Sequence, residues 1–145
     1  MAIQFFSLTG DIKYQNINAL KSWIKEIIKD YNKLPGKISI IIVSDAYLLD
    51  LNRTYLKKDC FTDIITFNFN EGKYISGDLY ISIDRINENA NTYAVSSSNE
   101  LLRVIIHGIL HLIGLNDRTD AEIDQMQQAE ELALKKAKGL ETLLF

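Results

Sequence analysis

The chain has 145 residues with one proline and one cysteine, and a net charge of −3, a balance that excludes bulk electrostatic capture of nucleic acid. Apolar residues make up 47% and charged residues 24%, which excludes a disordered segment and fits one globular domain, residues 1–145. A lone Cys60 excludes an internal disulfide and a thiolate metal cluster; the start lacks a signal-peptide pattern and no apolar stretch is long enough for a membrane span, so a cytoplasmic protein without membrane contact is expected.

In chain order, IQFFSL reads as a first strand. From about Asn16 to Tyr31, Leu20, Trp23, Ile24, Ile27, Ile28 and Tyr31 recur at helical spacing and form one inward stripe. LPG (34–36) reads as the turn that stops this helix, and KISIIIVS (37–44) as a strand buried on both faces. Ser44 is placed to cap a short helix through about Tyr55. The segment 62–69 alternates, with Ile65, Phe67 and Phe69 on one side and Ile64, Thr66 and Asn68 on the other. NEGKYISG then reads as a hairpin-like connection to a strand at 78–84, followed by a helix from about Arg85 to Tyr93. SSNE (97–100) has the form of a capping box led by Ser97, opening a nearly all-apolar, central helix to about Ile113. TDAE (119–122) has the same form and opens an amphipathic helix to about Gly139, with Ile123, Met126, Ala129, Leu132 and Ala133 inward.

The expected fold is therefore α/β: a small, mostly parallel, four-stranded mixed sheet covered by about five helices. Helical crossovers between the first three strands predict that those three run parallel, with the last strand antiparallel to its predecessor. Charge is uneven along the chain. Residues 117–145 carry seven acids and four bases, whereas the first 116 balance. Within that part, NRTYLKKD (52–59) is a small basic loop with Arg53, Lys57 and Lys58, which composition alone reads as a solvated turn.

Both histidines lie in HGILHLIGLND (107–117). Residues four apart on a helix stack on one face, so His107 and His111 can reach one ion together. Gly114 suits the helix end, where the chain can reverse and bring Asp117 back. The set His107, His111 and Asp117 supplies two nitrogens and a carboxylate with a fourth position open, the catalytic rather than the closed structural form of a zinc site. The plainer alternatives are core histidines, for which the apolar neighbours offer no hydrogen-bond partners, and a turn-forming role for Asp117. Zinc peptidases place a glutamate directly after the first histidine, and here Gly108 stands there.

HGILHLIGLND resembles the signature of the YbeY family of rRNA-maturation endoribonucleases, His-Gly-x-Leu-His-Leu-x-Gly-Tyr-Asp-His. LNRTYLKKDCFTDIITFNF (51–69) and GDLYISIDRINENA (77–90) resemble two further family segments, in order, over about residues 40–135. The resemblance implies a metal-dependent, single-strand-directed endoribonuclease with one Zn²⁺ per chain. It also implies a role in 16S rRNA 3′-end maturation and ribosome quality control, hence single-stranded RNA or rRNA and the small ribosomal subunit as partners. His107 and His111 match family ligands, while the third family histidine is Asp117, a set that Fe²⁺ and Mn²⁺ also favour. The family arginine falls on Leu56, which makes Arg53, Lys57 or Lys58 the candidate phosphate contacts. Thr66 and Asn68 are candidates to line the cleft, or else a solvent-facing strand side; Asp63 and Asp78 match family positions that turn formation explains as well. The general base is unassigned, and no oligomeric state follows from the sequence. Two rival readings are a metal-dependent hydrolase of another substrate, such as a peptide, and a ribosome-associated factor with a structural metal.

Overall fold

The β-branched run ending at Val43 forms the middle of a four-stranded sheet in a computed structural model that describes residues 2–10, 13–137 and 140. The elements in chain order are β1 Ile3–Ser7, α1 Ile17–Asp30, β2 Leu34–Val43, α2 Asp45–Leu51, β3 Ile64–Asn68, β4 Tyr74–Ser82, α3 Ile83–Tyr93, α4 Ser97–Ile113 and α5 Asp120–Lys135. A π-helical turn, Asn52–Leu56, extends α2. This is the mixed α/β sheet with helical cover expected from the sequence.

The strand order is β1-β2-β4-β3. β1, β2 and β4 run parallel, and β3 is antiparallel to β4. The odd strand is therefore β3 at the edge, not the last strand, which corrects the expected directions. The tight β3–β4 connection, with Gly72 at φ 55°, forces an antiparallel pair. Of the two, β4 takes the centre because Ile75, Leu79 and Ile81 are fully buried, while five-residue β3 needs cover on fewer sides.

Several boundaries shift for local reasons. β2 begins at Leu34, so LPG belongs to the strand, where the β2–β4 register slips between Pro35 and Ile38. The preceding turn is made instead at Asn32, φ 59°. β4 begins at Tyr74, which shortens the expected connection. Ser44 caps α2 by accepting the Tyr47 N–H, as expected. Ser96, not Ser97, caps α4 by accepting the Asn99 N–H at 3.0 Å; Ser97 instead bonds Asn87. The Thr119–Glu122 capping box of α5 is present in both directions. α5 ends at Lys135, short of Gly139, which lies outside the described residues. Met126, Ala129 and Ala133 point inward, but Ile123 and Leu132 are exposed, as is Tyr31 at the end of α1. α5 packs by a narrow face, Met126, Ala129 and Ala133 with Leu134 beside them, and Ile123 and Leu132 fall outside it.

The main core lies between one sheet face and helices α1, α4 and α5. Leu20, Trp23, Ile24, Ile27 and Ile28 of α1 meet Ile38, Ile40 and Ile42 of β2, and α4 is buried along most of its length. The Trp23 indole N–H donates to the Ala133 carbonyl at 2.9 Å, tying α1 to α5. A smaller cluster of Ile41, Val43, Leu48 and Ile65 fills the other face beneath α2. α4 thus runs through the interior with its C-terminal end near the β3 edge.

Candidate metal centre

On apolar α4, the charged and imidazole side chains Glu100, Arg103, His107 and His111 fall at successive steps of three, four and four residues, a single stripe. The rest of the helix is committed to packing. Gly108 sits against the sheet, where a Cβ would come within 2.6 Å of Leu79 Cδ2 and 2.8 Å of Ile64 Cδ1. A glutamate like that of the zinc peptidases has no room at this position.

The three expected ligands converge. His107 Nε2 is 3.1 Å from His111 Nε2 and 3.5 Å from Asp117 Oδ2, and His111 Nε2 is 3.3 Å from the same oxygen. Ligands about 2.1 Å from a shared tetrahedral ion lie about 3.4 Å apart, so the triangle fits a divalent metal. Among the described residues, this is the one group of three His, Cys, Asp or Glu residues close enough to hold an ion. Gly114, φ 124°, ends α4, and its N–H bonds the Leu110 carbonyl at 3.1 Å. That turn reverses the chain and delivers Asp117 just before the α5 cap.

Behind the triangle lies a charged network. His107 Nδ1 is 2.7 Å from Glu130 Oε2, on α5. An ionised carboxylate only accepts, so this contact assigns the proton to Nδ1 and leaves the Nε2 lone pair facing His111 and Asp117. Arg103 holds Glu100 through two bonds of 2.9 and 2.6 Å, and reaches Glu130 at 3.5 Å and Asp63 at 4.0 Å. Burial pulls the His107 pKa down, but the Glu130 hydrogen bond and charge, with Asp117 and Asp63, leave it raised above its ordinary value. Burial raises Asp63 above the usual carboxylate range, against the pull of Arg103 and His107. The Glu100 hydrogen bonds hold Arg103 firmly charged despite its burial.

A cleft of about 360 Å³ opens over the three ligands along the β3 edge, lined also by Leu56, Thr62, Asp63 and Thr66. Larger hollows exist, one of about 660 Å³ near Leu102 and Leu134, but they lack this ligand group. Thr66 thus lines the cleft beside His107, His111 and Asp117. Arg53 and Lys57 are outside the lining: Arg53 pairs with Asp59 at 2.6 Å, and Lys57 follows Leu56 in a left-handed backbone conformation. Leu56, at the family-arginine position, does line the cleft. Asn68 accepts the Asn70 N–H, and neither it nor Asp78 lines the cleft. Sequence reasoning assigns Glu100 only a capping role and gives Glu130 and Arg103 no site role. The available signal was the polar stripe on an apolar helix, which marks Arg103 and Glu100 but not Glu130.

No helix among the described residues is long and apolar enough to cross a membrane. A family profile described as Endoribonuclease YbeY matches residues 7–138. An Endoribonuclease YbeY of Azobacteroides pseudotrichonymphae is 46% identical over 96% of this chain and 100% of its own length. One from Phocaeicola vulgatus is 50% identical over 77% of this chain and 81% of its own. The solution structure of TM1509 from Thermotoga maritima is similar at a TM-score of 0.62 and 25% identity, covering 93% of this chain and 91% of that one. The profile spans β2 to β4, α4 and the turn that carries Asp117, and the first of these relatives covers nearly the whole chain: the chain belongs to the endoribonuclease YbeY family.

Proposed function

We propose that residues 1–145 act as one cytoplasmic domain, a metal-dependent endoribonuclease for single-stranded RNA serving 16S rRNA 3′-end maturation and ribosome quality control on the small subunit. The observation that carries this reading is the convergence of His107, His111 and Asp117 within 3.5 Å of one another at the floor of an open cleft, in a chain of this family. These three residues would hold one Zn²⁺. The chemistry such an ion supplies when bound is activation of water and polarisation of a phosphoryl oxygen.

The residues around it divide the remaining work. With an ion bound, the Nε2 atoms of His107 and His111 would be its nitrogen donors, and Asp117 would offset part of its charge. The Thr66 hydroxyl offers a hydrogen bond to a phosphate oxygen in the cleft. Arg53 and Lys57 lie close to Leu56 in sequence but outside the cleft lining, and they supply cations for the RNA backbone beyond it that position 56 lacks. The mixed wall of the cleft, with Leu56 and Ile64 beside Thr62 and Thr66, accommodates a flexible single strand.

The test pairs cleavage with metal analysis. Purified wild type is expected to carry about one divalent ion per chain and to cut a single-stranded 16S 3′-end RNA, with cutting abolished by chelator. His107→Ala is expected to stay folded by circular dichroism and to lose at least about a hundredfold in cleavage. Wild type without stoichiometric metal, or a His107→Ala variant that cuts at the wild-type rate, overturns the proposal.

A further inference from the structure

α4 and α5 bury two carboxylates that the ligand triangle itself does not use. Glu100 is 2% exposed and Glu130 6% exposed. Burying charges costs free energy, and an apolar pair of similar volume commonly serves stability as well or better. Their arrangement is also uneven. Arg103 spends its two short bonds on Glu100, a closed bidentate pair. Glu130 receives only a 3.5 Å contact from Arg103, and its short bond, 2.7 Å, goes to His107 Nδ1. Most of the Glu130 charge is therefore directed at one imidazole. His111 has no such partner among the described residues; its contacts are with His107 and Asp117.

We propose that Glu130, steadied by the Arg103–Glu100 clamp, is a positioning residue for the metal ligand His107. Its carboxylate accepts the Nδ1 proton, fixes the tautomer and the ring plane, and makes Nε2 a stronger donor toward the ion. The two histidines are thereby inequivalent: His107 is anchored through α5, and His111 is oriented only from within the triangle. The same contact joins α5 to the site, although α5 supplies no ligand. This inference rests on the metal reading above.

The experiment uses Zn²⁺ alone as probe, on the full chain. E130Q keeps the shape and an acceptor oxygen but removes the charge; E130D keeps the charge but withdraws it from Nδ1. Zn²⁺ dissociation constants come from competition with a chromophoric chelator, and His107 tautomers from imidazole nitrogen NMR of metal-free protein. Expected are a stoichiometric wild-type site, a ten- to hundredfold weaker site in E130Q, and a similar weakening in E130D. Expected too is a single Nδ1–H tautomer of His107 in the wild type that becomes mixed in E130D, a signature that mere helix–helix bracing by Glu130 would not produce. E130D also serves if E130Q fails to fold. Zn²⁺ affinities within twofold of wild type in the folded variants, or an unchanged tautomer in E130D, overturn this proposal and leave the metal reading standing. A wild type that binds no Zn²⁺ overturns the metal reading, and this inference falls with it.

Discussion

His107 uses both ring nitrogens, one toward Glu130 and one toward His111 and Asp117, and this ties its protonation to folding. In metal-free protein its pKa is raised: burial opposes the charged form, but Glu130, Asp117 and Asp63 outweigh it. A folded pKa above the unfolded value of about 6.5 means that folding favours the bound proton. The stabilisation is complete below about pH 6.5 and is lost as pH rises through the folded value. Urea unfolding in excess chelator should therefore show stability falling over the interval above about pH 6.5, with a flatter profile in His107→Gln. A wild-type profile that is flat or rises over that interval would count against the Glu130 contact. Metal affinity has the opposite sign, because a ligand nitrogen must be free of its proton, and it should rise over the same interval. At this scale the convergence of His107, His111 and Asp117 was legible because helical spacing and a glycine-led reversal are local features. Glu130 was not, since it lies 23 residues from His107 and meets it only through the packing of two helices.

At the scale of elements, the cleft depends on where the short edge strand β3 is held. Gly77 of β4 stands in register with Asn68 of β3. A Cβ at Gly77 would collide with the Phe67 carbonyl oxygen and lie 2.9 Å from Leu112 Cδ2 on α4. The leucine tip can turn aside, but the carbonyl is fixed in the ladder, so relief requires lifting β3 off β4. Gly77→Ala should cost about 1–3 kcal/mol in urea unfolding and should weaken cleavage as well, because Thr66 and the neighbouring wall move with β3. A change below about 0.5 kcal/mol, the ordinary range for surface substitutions, would mean that the strand pair yields more easily than its geometry implies. The types of the elements were readable from periods of 2 and 3.6 residues. The partner of each strand was not. Nothing local in 62–69 says that it sits at the edge; that follows from β4 burying Ile75, Leu79 and Ile81 between its neighbours.

For the whole molecule, the candidate metal site is attached to a core that is packed without it. Leu101, Val104, Ile105, Ile106 and Ile109 of α4 pack with Leu20, Ile24 and Ile28 of α1 against the sheet. The three side chains lie at the C-terminal end of α4 and the turn after it, with side-chain exposures of 23%, 28% and 41% for His107, His111 and Asp117. Two classes of metal protein differ at this point: one in which the ion builds the fold, and one in which the fold waits for the ion. On the metal reading, a core complete beneath the three side chains predicts the second. Chelated protein should remain folded, with native far-ultraviolet circular dichroism and one cooperative thermal transition. Adding Zn²⁺ to about a hundred times its dissociation constant should add about 2.7 kcal/mol through preferential binding to the folded state. For a chain of this size that raises the melting temperature by on the order of 10 °C. His111→Ala should remove the metal-dependent part of that rise while leaving the chelated baseline near wild type, because the His111 side chain is only partly buried and is not among the core residues. If chelation instead abolishes the thermal transition, the ion is structural, and loss of RNA cleavage on chelation would then report unfolding rather than a missing catalytic ion.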